Sequence, residues 1–312
     1  MKLGENVIQM KPTPIKNLYV VEPDSSPLFP NGVSLIYLGS EKAIIDMCAG
    51  YDALERALKM SKLKFDDIDY ILLTHLHPDH TKFVWYLKEN YDVKICMNEL
   101  ESSYVASWDK FFEFYGLINY PDIIDEWIKE IGTPLNFKPF KVDVKLKPNT
   151  FINIGDLEID VISSPGHTKG HTFFKIDDLL IVGDIDLTNF PWYGHPTSSL
   201  IDFVNSVNLI SELNPKYLVS MHRGLLTNSI EIEVRKYLDI IESRNRKILE
   251  RLKQPKTIDE LVDYNIIYPR HNLKLLRFFE KNMLEHHINY LLNIGKIKKI
   301  ELGDRVLYQT VS

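Results

Sequence analysis

The chain has 312 residues, of which 45% are hydrophobic and 26% charged, values typical of a globular protein. Its apolar runs are too short to cross a bilayer, and its first residues lack the apolar segment of a secretory signal. The two cysteines, Cys48 and Cys96, cannot build a disulfide framework and are expected to be small buried side chains. These features exclude a disulfide-rich scaffold and predict a cytoplasmic protein that does not enter the membrane.

The net charge of −6 is divided unevenly along the chain. Residues 243–312 contain 14 Lys and Arg against 8 Asp and Glu, a balance of +6, so residues 1–242 have a balance of −12. An acidic body followed by a basic segment indicates two modules with different surfaces. We therefore expect a main domain over residues 1–242 and a small domain over residues 243–312.

Before residue 100, apolar segments alternate with turn signals and predict an α/β arrangement. Strands are expected over Val7–Met10, Lys16–Val21, Val33–Leu38, Lys42–Met47 and Asp66–Leu73. Between the last two of these strands, Tyr51–Leu63 has leucines at helical spacing and predicts an amphipathic helix. Functional side chains of such folds collect on loops at strand ends.

Residues 100–132 form a helical insertion with a different pattern. A stripe of aromatic residues follows the spacing of one helical face; its members are Tyr104, Trp108, Phe111, Phe112 and Tyr115. A second helix is expected at about Ile123–Ile131. The stripe is expected to pack on the domain or on a second subunit, which would make a homodimer, or else to form an aromatic wall over the active site.

After the insertion, short apolar strands return. They are expected over Val142–Leu146, Leu157–Ile162, Phe173–Ile176, Leu179–Val182 and Tyr217–Met221. Ser199–Leu213 predicts a helix, with a serine at its start and Pro215 beyond its end. Ile230–Lys253 predicts one long helix that crosses the charge boundary.

The last residues predict a small unit of helices and a hairpin. Thr257 and Glu260 form a capping box that opens a short helix, and Leu273–Leu292 is expected to hold one or two helices. Lys296–Leu302 and Arg305–Gln309 flank a Gly-Asp turn, which predicts a β-hairpin. Helices followed by a terminal hairpin are typical of a winged helix.

The segment that ends in His80 concentrates four potential metal ligands directly after a buried strand. His75 and His77 leave the strand with period two, so their side chains point to one side. Pro78 ends the extended run, and Asp79 and His80 follow in a turn. Two clusters offset by a turn suit two adjacent metal ions better than one.

Three further residues of the same chemical kind follow strands in the same way. His167, Asp184 and His222 each come shortly after one of the predicted strands. Independent core histidines would not all appear at the carboxyl ends of strands. The repetition therefore indicates one shared site.

The order His-x-His-x-Asp-His, His, Asp, His resembles the motifs of the metallo-β-lactamase superfamily, over about residues 6–225. The resemblance implies an αββα sandwich with a dinuclear metal site at one edge, to which this chain adds the helical insertion and a small C-terminal winged-helix-like domain. By position it assigns His75, His77 and His167 to the first metal, Asp79, His80 and His222 to the second, and Asp184 to both.

A metal-dependent hydrolase is the activity that this resemblance implies. Imidazole and carboxylate ligands suit Zn²⁺, and without a cysteine ligand they also admit iron or manganese. Two divalent ions would lower the pKa of a water, and the resulting hydroxide would attack a carbonyl or phosphoryl centre. Asp79 would orient this water and pass its proton to the leaving group.

Other residues near the predicted site have supporting or substrate-binding roles to fill. Asp46 and His171 are expected to hold ligands in place without binding metal. Asp186 would either hydrogen-bond a ligand histidine or cap a turn. Tyr193 and His195 would donate hydrogen bonds to the substrate, or else belong to a packed aromatic loop.

The substrate is the least defined feature. Many relatives place two glycines after the Asp-His pair, where this chain has Thr81–Phe83, and no basic cluster matches a glutathione site of the glyoxalase II type. A small ester, thioester or lactone is therefore expected. The basic domain, similar to that of the mammalian lactamase-like protein 2, offers single-stranded RNA cleavage as an alternative. A mononuclear iron enzyme such as a persulfide dioxygenase is the third.

Overall fold

The computed structural model describes residues 10–269 and 273–311. It has an α/β fold in which two β-sheets stack face to face and helices cover both outer faces. This arrangement confirms the predicted αββα sandwich. Of the strand predicted over Val7–Met10, only Met10 lies within the described residues.

The first sheet has seven strands that are neighbours in chain order. They are β1 (Met10–Pro12), β2 (Leu18–Val21), β3 (Ser34–Leu38), β4 (Lys42–Ile45), β5 (Tyr70–Leu73), β6 (Lys94–Asn98) and β7 (Val144–Leu146). The pairs from β1 to β4 are antiparallel, whereas β4, β5, β6 and β7 run parallel. The parallel strands therefore end at the same edge of the sheet.

The second sheet has six strands in the order β13-β12-β11-β10-β9-β8. They are β8 (Thr150–Ile154), β9 (Leu157–Ser163), β10 (Thr172–Ile176), β11 (Leu179–Ile181), β12 (Tyr217–Ser220) and β13 (Gly224–Leu226). Strands β11 and β12 are parallel, and the other neighbours are antiparallel. Because β9 and β11 are both antiparallel to β10, the strands β9, β11 and β12 also end at one edge.

The helices of the described residues cover the outer faces of the sheets. They are α1 (Tyr51–Met60), α2 (Val84–Asn90), α3 (Trp108–Phe114), α4 (Pro121–Trp127), α5 (Leu200–Leu213), α6 (Ile230–Arg251), α7 (Ile258–Val262) and α8 (Lys274–Asn293). A π-helical turn continues α4, and the hairpin β14 (Ile297–Leu302) and β15 (Arg305–Thr310) follows α8. Within residues 10–269 and 273–311, no helix has the length and apolar character needed to span a bilayer. The cytoplasmic location stays a prediction.

The alternation of side chains along the strands fills the cores on both sides of each sheet. In β3, Leu35 and Tyr37 point into the space between the two sheets, whereas Ile36 points outward under the helices. The free thiols of Cys48 and Cys96 are buried between the sheets, as expected of small apolar side chains.

Some predicted elements differ from those observed. The strand expected over Asp66–Leu73 spans only Tyr70–Leu73, because a 3-10 turn at Phe65–Asp67 precedes it. The backbone N–H of Lys64 donates a 2.9 Å hydrogen bond to the Asp67 carboxylate and holds this turn. The elements α2, β6, β8 and β13, which are three to seven residues long, were not predicted.

The aromatic stripe of the insertion is interrupted before α3. The side chain of Ser107 accepts a hydrogen bond from the Lys110 N–H and caps the helix, so Tyr104 lies in the preceding turn. Phe111 and Phe112 are buried in the core of the domain. This part of the stripe packs on the domain, which is one of the predicted alternatives. Pairing with a second subunit stays a prediction.

The C-terminal unit of helices and a hairpin is packed onto the main domain through a shared core. Helix α6 runs without a break through the boundary predicted after residue 242. Met283, Leu284 and Ile288 of α8 belong to the same core as Phe203 and Val207 of α5. The domain boundary and the winged-helix character of this terminal unit stay predictions.

If α8 shares its core with the main domain, a cavity in α8 should destabilise the whole chain. We expect Leu284→Ala to lower the free energy of unfolding by about 2–5 kcal/mol, since Leu284 is fully buried. Urea denaturation, followed by circular dichroism and by tryptophan fluorescence, should show one transition at a lower urea concentration. Leu302→Ala is the control, because Leu302 is 62% exposed and should change stability by less than about 0.5 kcal/mol. Two separate transitions, of which one moves, would contradict the shared core.

Candidate metal centre

Side chains able to bind metal meet at one edge of the sandwich, where strands of both sheets end. His75 and His77 follow β5, and His167 follows β9. Asp184 follows β11, and His222 follows β12. The edge therefore collects residues that are far apart in the sequence.

The first group of donor atoms consists of three imidazoles and one carboxylate. The Nε2 atom of His167 lies 3.2 Å from Nε2 of His75 and 2.9 Å from Nδ1 of His77. The Oδ2 atom of Asp184 lies 3.5 Å from Nε2 of His167 and 3.8 Å from Nε2 of His75. Four donors that face one point in this way can surround one metal ion.

The second group shares Asp184 with the first. The Oδ1 atom of Asp184 lies 2.7 Å from Nε2 of His80 and 3.1 Å from Nε2 of His222, and Oδ2 of Asp79 lies 3.3 Å from the same His222 atom. Asp79 Oδ2 is buried without a hydrogen bond in the described part of the chain. Buried polar atoms rarely stay unpaired, so this arrangement fits a second cation.

The charge states of the histidines differ between the two groups. Burial and neighbouring histidines lower the pKa of His75 and His77 well below its ordinary value. Burial opposes protonation of His80 and His222 as well, but the neighbouring acidic groups, Asp184 foremost and Asp79 with it, together raise the pKa of both well above its ordinary value. The first group thus presents neutral imidazoles, the form that binds metal, and in the second the carboxylate attracts positive charge.

Asp46 is fully buried and is linked by hydrogen bonds to residues of both groups. Its carboxylate accepts a 2.9 Å hydrogen bond from Nδ1 of His80 and a 2.7 Å one from the Thr74 hydroxyl. The same hydroxyl oxygen lies 3.0 Å from Nδ1 of His75. Asp46 has the supporting position that the sequence predicted, because it orients the ring of His80 and, through Thr74, that of His75.

Backbone carbonyls orient two further histidines. Nδ1 of His167 donates to the carbonyl of Trp192, and Nδ1 of His222 donates to the carbonyl of Asn31, both at 2.8 Å. The buried Lys82 donates a 2.6 Å hydrogen bond to another carbonyl of the Asn31 loop. Lys82 therefore fastens the loop whose Asn31 carbonyl orients His222.

His171 and Asp186 lie beside the two groups and outside both. Nε2 of His171 accepts a 3.1 Å hydrogen bond from the backbone N–H of Asp184, while its Nδ1 donates to the carbonyl of Ser164. Asp186 accepts hydrogen bonds from the N–H and the hydroxyl of Thr188, and one from a tyrosine hydroxyl of α6. Asp186 thus caps a turn, and no hydrogen bond of the described residues joins it to a ligand histidine.

Tyr193 and His195, expected either to contact substrate or to belong to a packed aromatic loop, are buried in the loop that follows Trp192. Tyr193 is fully buried, accepts a 2.9 Å hydrogen bond from Arg244 and donates one to His287. His195 is also fully buried, and its Nε2 lies 2.5 Å from Nε2 of His77, whose other ring nitrogen faces the first group. Because their loop packs under α6 and α8, Tyr193 is a core residue and His195 orients a ligand.

Glu101 holds two ligand loops together and was not among the predicted site residues. Its buried carboxylate accepts hydrogen bonds from the backbone N–H of Leu76, at 3.0 Å, and of Gly170, at 2.7 Å. Burial raises the pKa of Glu101 to about 7. The sequence offered only an acidic residue shortly after a strand that was itself not predicted.

A cavity of about 490 Å³ opens above the ligands. Its walls come from the loop around Phe29, the insertion with Tyr115, the segment 188–192 and the terminal unit. The centroid of the Tyr115 ring lies 6.0 Å from that of His77. The alternative of an aromatic wall therefore holds for this member of the stripe.

The fold and the grouping of donors define a class of protein, and comparison with known sequences agrees with it. The family model of the metallo-beta-lactamase superfamily matches residues 33–222, and the chain belongs to this superfamily. A metallo-beta-lactamase fold-containing protein of Sulfurisphaera tokodaii is 27% identical over 173 residues, and a probable metallo-hydrolase of Methanocaldococcus jannaschii is 26% identical over 201 residues. These matches cover 53% and 61% of this chain, and 64% and 85% of the two relatives. The first match thus spans less than two thirds of that relative.

Solved structures show the same fold. A metallo-beta-lactamase family protein of Thermus thermophilus superposes with a TM-score of 0.74 at 21% identity, over 96% of this chain and 100% of that one. A subclass B3 metallo-beta-lactamase of Bradyrhizobium japonicum gives a TM-score of 0.56 at 17% identity, over 76% and 93% of the two chains. At these identities the likeness concerns the fold alone.

The two hydrogen bonds of Glu101 give a test of its role. We expect Glu101→Gln to lower the free energy of unfolding by about 1–3 kcal/mol, because an amide NH₂ would face one of the two backbone N–H groups. The loss should be larger at about pH 5 than at about pH 8. Between the ordinary pKa of 4.5 and the folded-state pKa of about 7, the folded protein keeps a proton that the unfolded chain has lost. Wild-type stability therefore falls as pH rises through this range, and the variant lacks this dependence.

Urea denaturation at both pH values measures the difference. Glu113→Gln is the matched control, because the side chain of Glu113 is about half exposed on α3 and should change stability little at either pH. A loss that is equal at the two pH values, or no larger than that of the control, would contradict the role given to Glu101.

Proposed function

We propose that the protein is a metal-dependent hydrolase of small esters, thioesters or lactones, which uses two divalent ions, Zn²⁺ before iron or manganese. The observation that carries the proposal is the pair of four-donor groups that share Asp184 at the floor of the cavity. A relative named as a probable metallo-hydrolase and the shared fold of a solved metallo-beta-lactamase support it. The donors are imidazoles and carboxylates, which all three metals accept.

The chemistry would be divided between the ions and the protein. When bound, the two ions would supply a water of lowered pKa and a positive charge beside the carbonyl oxygen under attack. Asp79 lines the cavity floor, and its buried Oδ2 has no hydrogen-bond partner among the described residues. A carboxylate has two oxygens, so one can hold the second ion while the other carries a proton, and we assign to Asp79 the transfer of a proton from the attacking water to the leaving group.

The lining of the cavity favours a neutral substrate over RNA. Among the residues that the structure describes, no lysine or arginine lines the cavity. Protein contacts to a nucleic-acid backbone depend on such cations. Lys298 and Lys299 of the basic terminal unit are exposed on β14, away from this lining. Single-stranded RNA cleavage is therefore the less supported alternative, and nucleic-acid binding by the terminal unit stays a prediction.

The second group of donors separates the proposal from a mononuclear iron enzyme. A single ion held by the first group would leave the second group, in which Asp79 Oδ2 is buried and makes no hydrogen bond among the described residues, without a cation. A buried polar atom without a partner costs about 1–3 kcal/mol. A dinuclear site removes this cost and is the better supported arrangement.

A hydrolysis panel is the most direct test of the proposed reaction. The full chain, loaded in turn with Zn²⁺, Mn²⁺ or Fe²⁺, is offered an alkyl thioester, a phenyl ester, a lactone and a single-stranded RNA oligonucleotide. We expect turnover of at least one of the three carbonyl substrates and none of the RNA, because no lysine or arginine of the described residues lines the cavity to bind the phosphates that flank the reacting one. Cleavage of the RNA alone would contradict the proposal.

His80→Ala tests whether the second group is needed. The side chain of His80 contacts both Asp184 and Asp46, so its loss should lower the metal content and reduce kcat/KM by at least about a hundredfold. Metal content is measured by elemental analysis, and kcat/KM on the preferred carbonyl substrate. Asp109→Ala, at an exposed position of α3, should change neither quantity. Full activity of His80→Ala would show that the two-metal arrangement is wrong.

A further inference from the structure

The terminal unit supplies one wall of the cavity above the metal-binding groups. Tyr268, Leu276 and Phe279 all line the cavity. The ring centroid of Phe279 lies 5.3 Å from that of Trp192, and the Tyr268 hydroxyl accepts a 2.7 Å hydrogen bond from the Trp192 indole. The ring of Trp192 lies 5.1 Å from that of His77. One aromatic side chain therefore separates the terminal unit from a ligand of the first group.

Helices α6 and α8 also fasten the loop that carries Trp192. Within residues 191–195, three backbone carbonyls accept hydrogen bonds from Arg244, Asn282 and His286, at 2.6, 2.8 and 2.7 Å. All three donor residues are buried. The wall is thus fixed in place before a substrate arrives, which reduces the entropy that binding would cost.

The rest of the cavity wall is also mostly apolar. Leu28 and Phe29 come from the N-terminal loop, and Tyr115 and Ile131 come from the insertion. The ionisable and amide side chains of the lining belong to the metal-binding groups at the floor and to Asp186 and Asn189. A substrate fits this distribution when its reacting bond lies at the floor and an apolar group extends between the walls.

We propose that Leu276 and Phe279 are specificity-determining residues that bind a neutral, apolar acyl group of the substrate. The inference rests on the proposed hydrolase function and adds the part of the substrate that the terminal unit recognises. It also gives that unit a role that does not require nucleic acid. The length of the acyl chain then decides how much apolar surface is buried.

Leu276 is the better position for a test. Phe279 belongs to the core of the main domain as well as to the cavity, so its truncation would disturb the fold. Leu276 is half-buried and lies outside the three cores. A larger side chain at this position should fill the cavity and leave the cores intact.

The experiment compares kcat/KM of the metal-loaded full chain for a series of thioesters from acetyl to octanoyl. In the wild type, kcat/KM should rise roughly fourfold for each added methylene until the cavity is full. Leu276→Phe should keep the acetyl thioester within about twofold and lower kcat/KM for the octanoyl thioester at least about tenfold. Leu302→Phe, which adds the same bulk at an exposed position of β14, should follow the wild type.

Binding of uncharged amides separates this inference from the proposed function. By titration calorimetry, hexanamide should bind the wild type at least about tenfold more tightly than acetamide, and Leu276→Phe should remove the difference. If the amides behave in this way but no ester, thioester or lactone is hydrolysed, the proposed function fails while the role of Leu276 in binding the acyl group is supported. Hydrolysis of thioesters without dependence on chain length would contradict the acyl-binding role of Leu276 and Phe279, and so would an equal loss for all thioesters in Leu276→Phe. In both cases the proposed hydrolase function would still be supported.

Discussion

The carboxylate of Asp184 is the contact on which the rest of the site depends. One of its oxygens lies 3.5 Å from His167 in the first group, and the other lies 2.7 Å from His80 in the second. Burying so many imidazoles and carboxylates leaves polar atoms without hydrogen bonds, which is unfavourable unless cations join them. The parallel ends of β9, β11 and β12, facing those of β4 and β5, bring these side chains to one edge.

Around this contact, hydrogen bonds from different parts of the chain orient the metal-binding side chains. Asp46 and Thr74 orient His80 and His75, and Glu101 ties together the loops that follow β5 and β9. Backbone carbonyls of Trp192 and Asn31, in two separate loops, accept hydrogen bonds from His167 and His222. Ligands held in this way need little rearrangement when a metal or a substrate binds.

The sequence predicted the sandwich and the grouping of the seven ligand-type residues, because each follows an apolar strand closely enough for the order of motifs to show. It did not predict Glu101, since an acidic residue after a short, weakly patterned strand has no distinctive spacing. It left Tyr193 and His195 open between contacts to the substrate and a packed aromatic loop, and the structure buries both in that loop. Their burial depends on how α6 and α8 pack over the loop, which no local pattern encodes.

The substrate cavity was the least predictable feature for the same physical reason. Its walls come from four segments separated by long stretches of sequence, and their apolar residues resemble ordinary core residues in the sequence. Only Tyr115 of the aromatic stripe reaches the cavity beside its ligands, while Phe111 and Phe112 stabilise the domain. The terminal unit, which its charge alone associated with nucleic acid, contributes Leu276 and Phe279 to the wall.

The central claim is that two ions share Asp184. Anomalous diffraction from crystals of the zinc-loaded protein measures this directly. The account predicts two peaks, one among His75, His77 and His167 and one among Asp79, His80 and His222, with one oxygen of Asp184 facing each. A single peak within the first group, at full zinc loading, would contradict it.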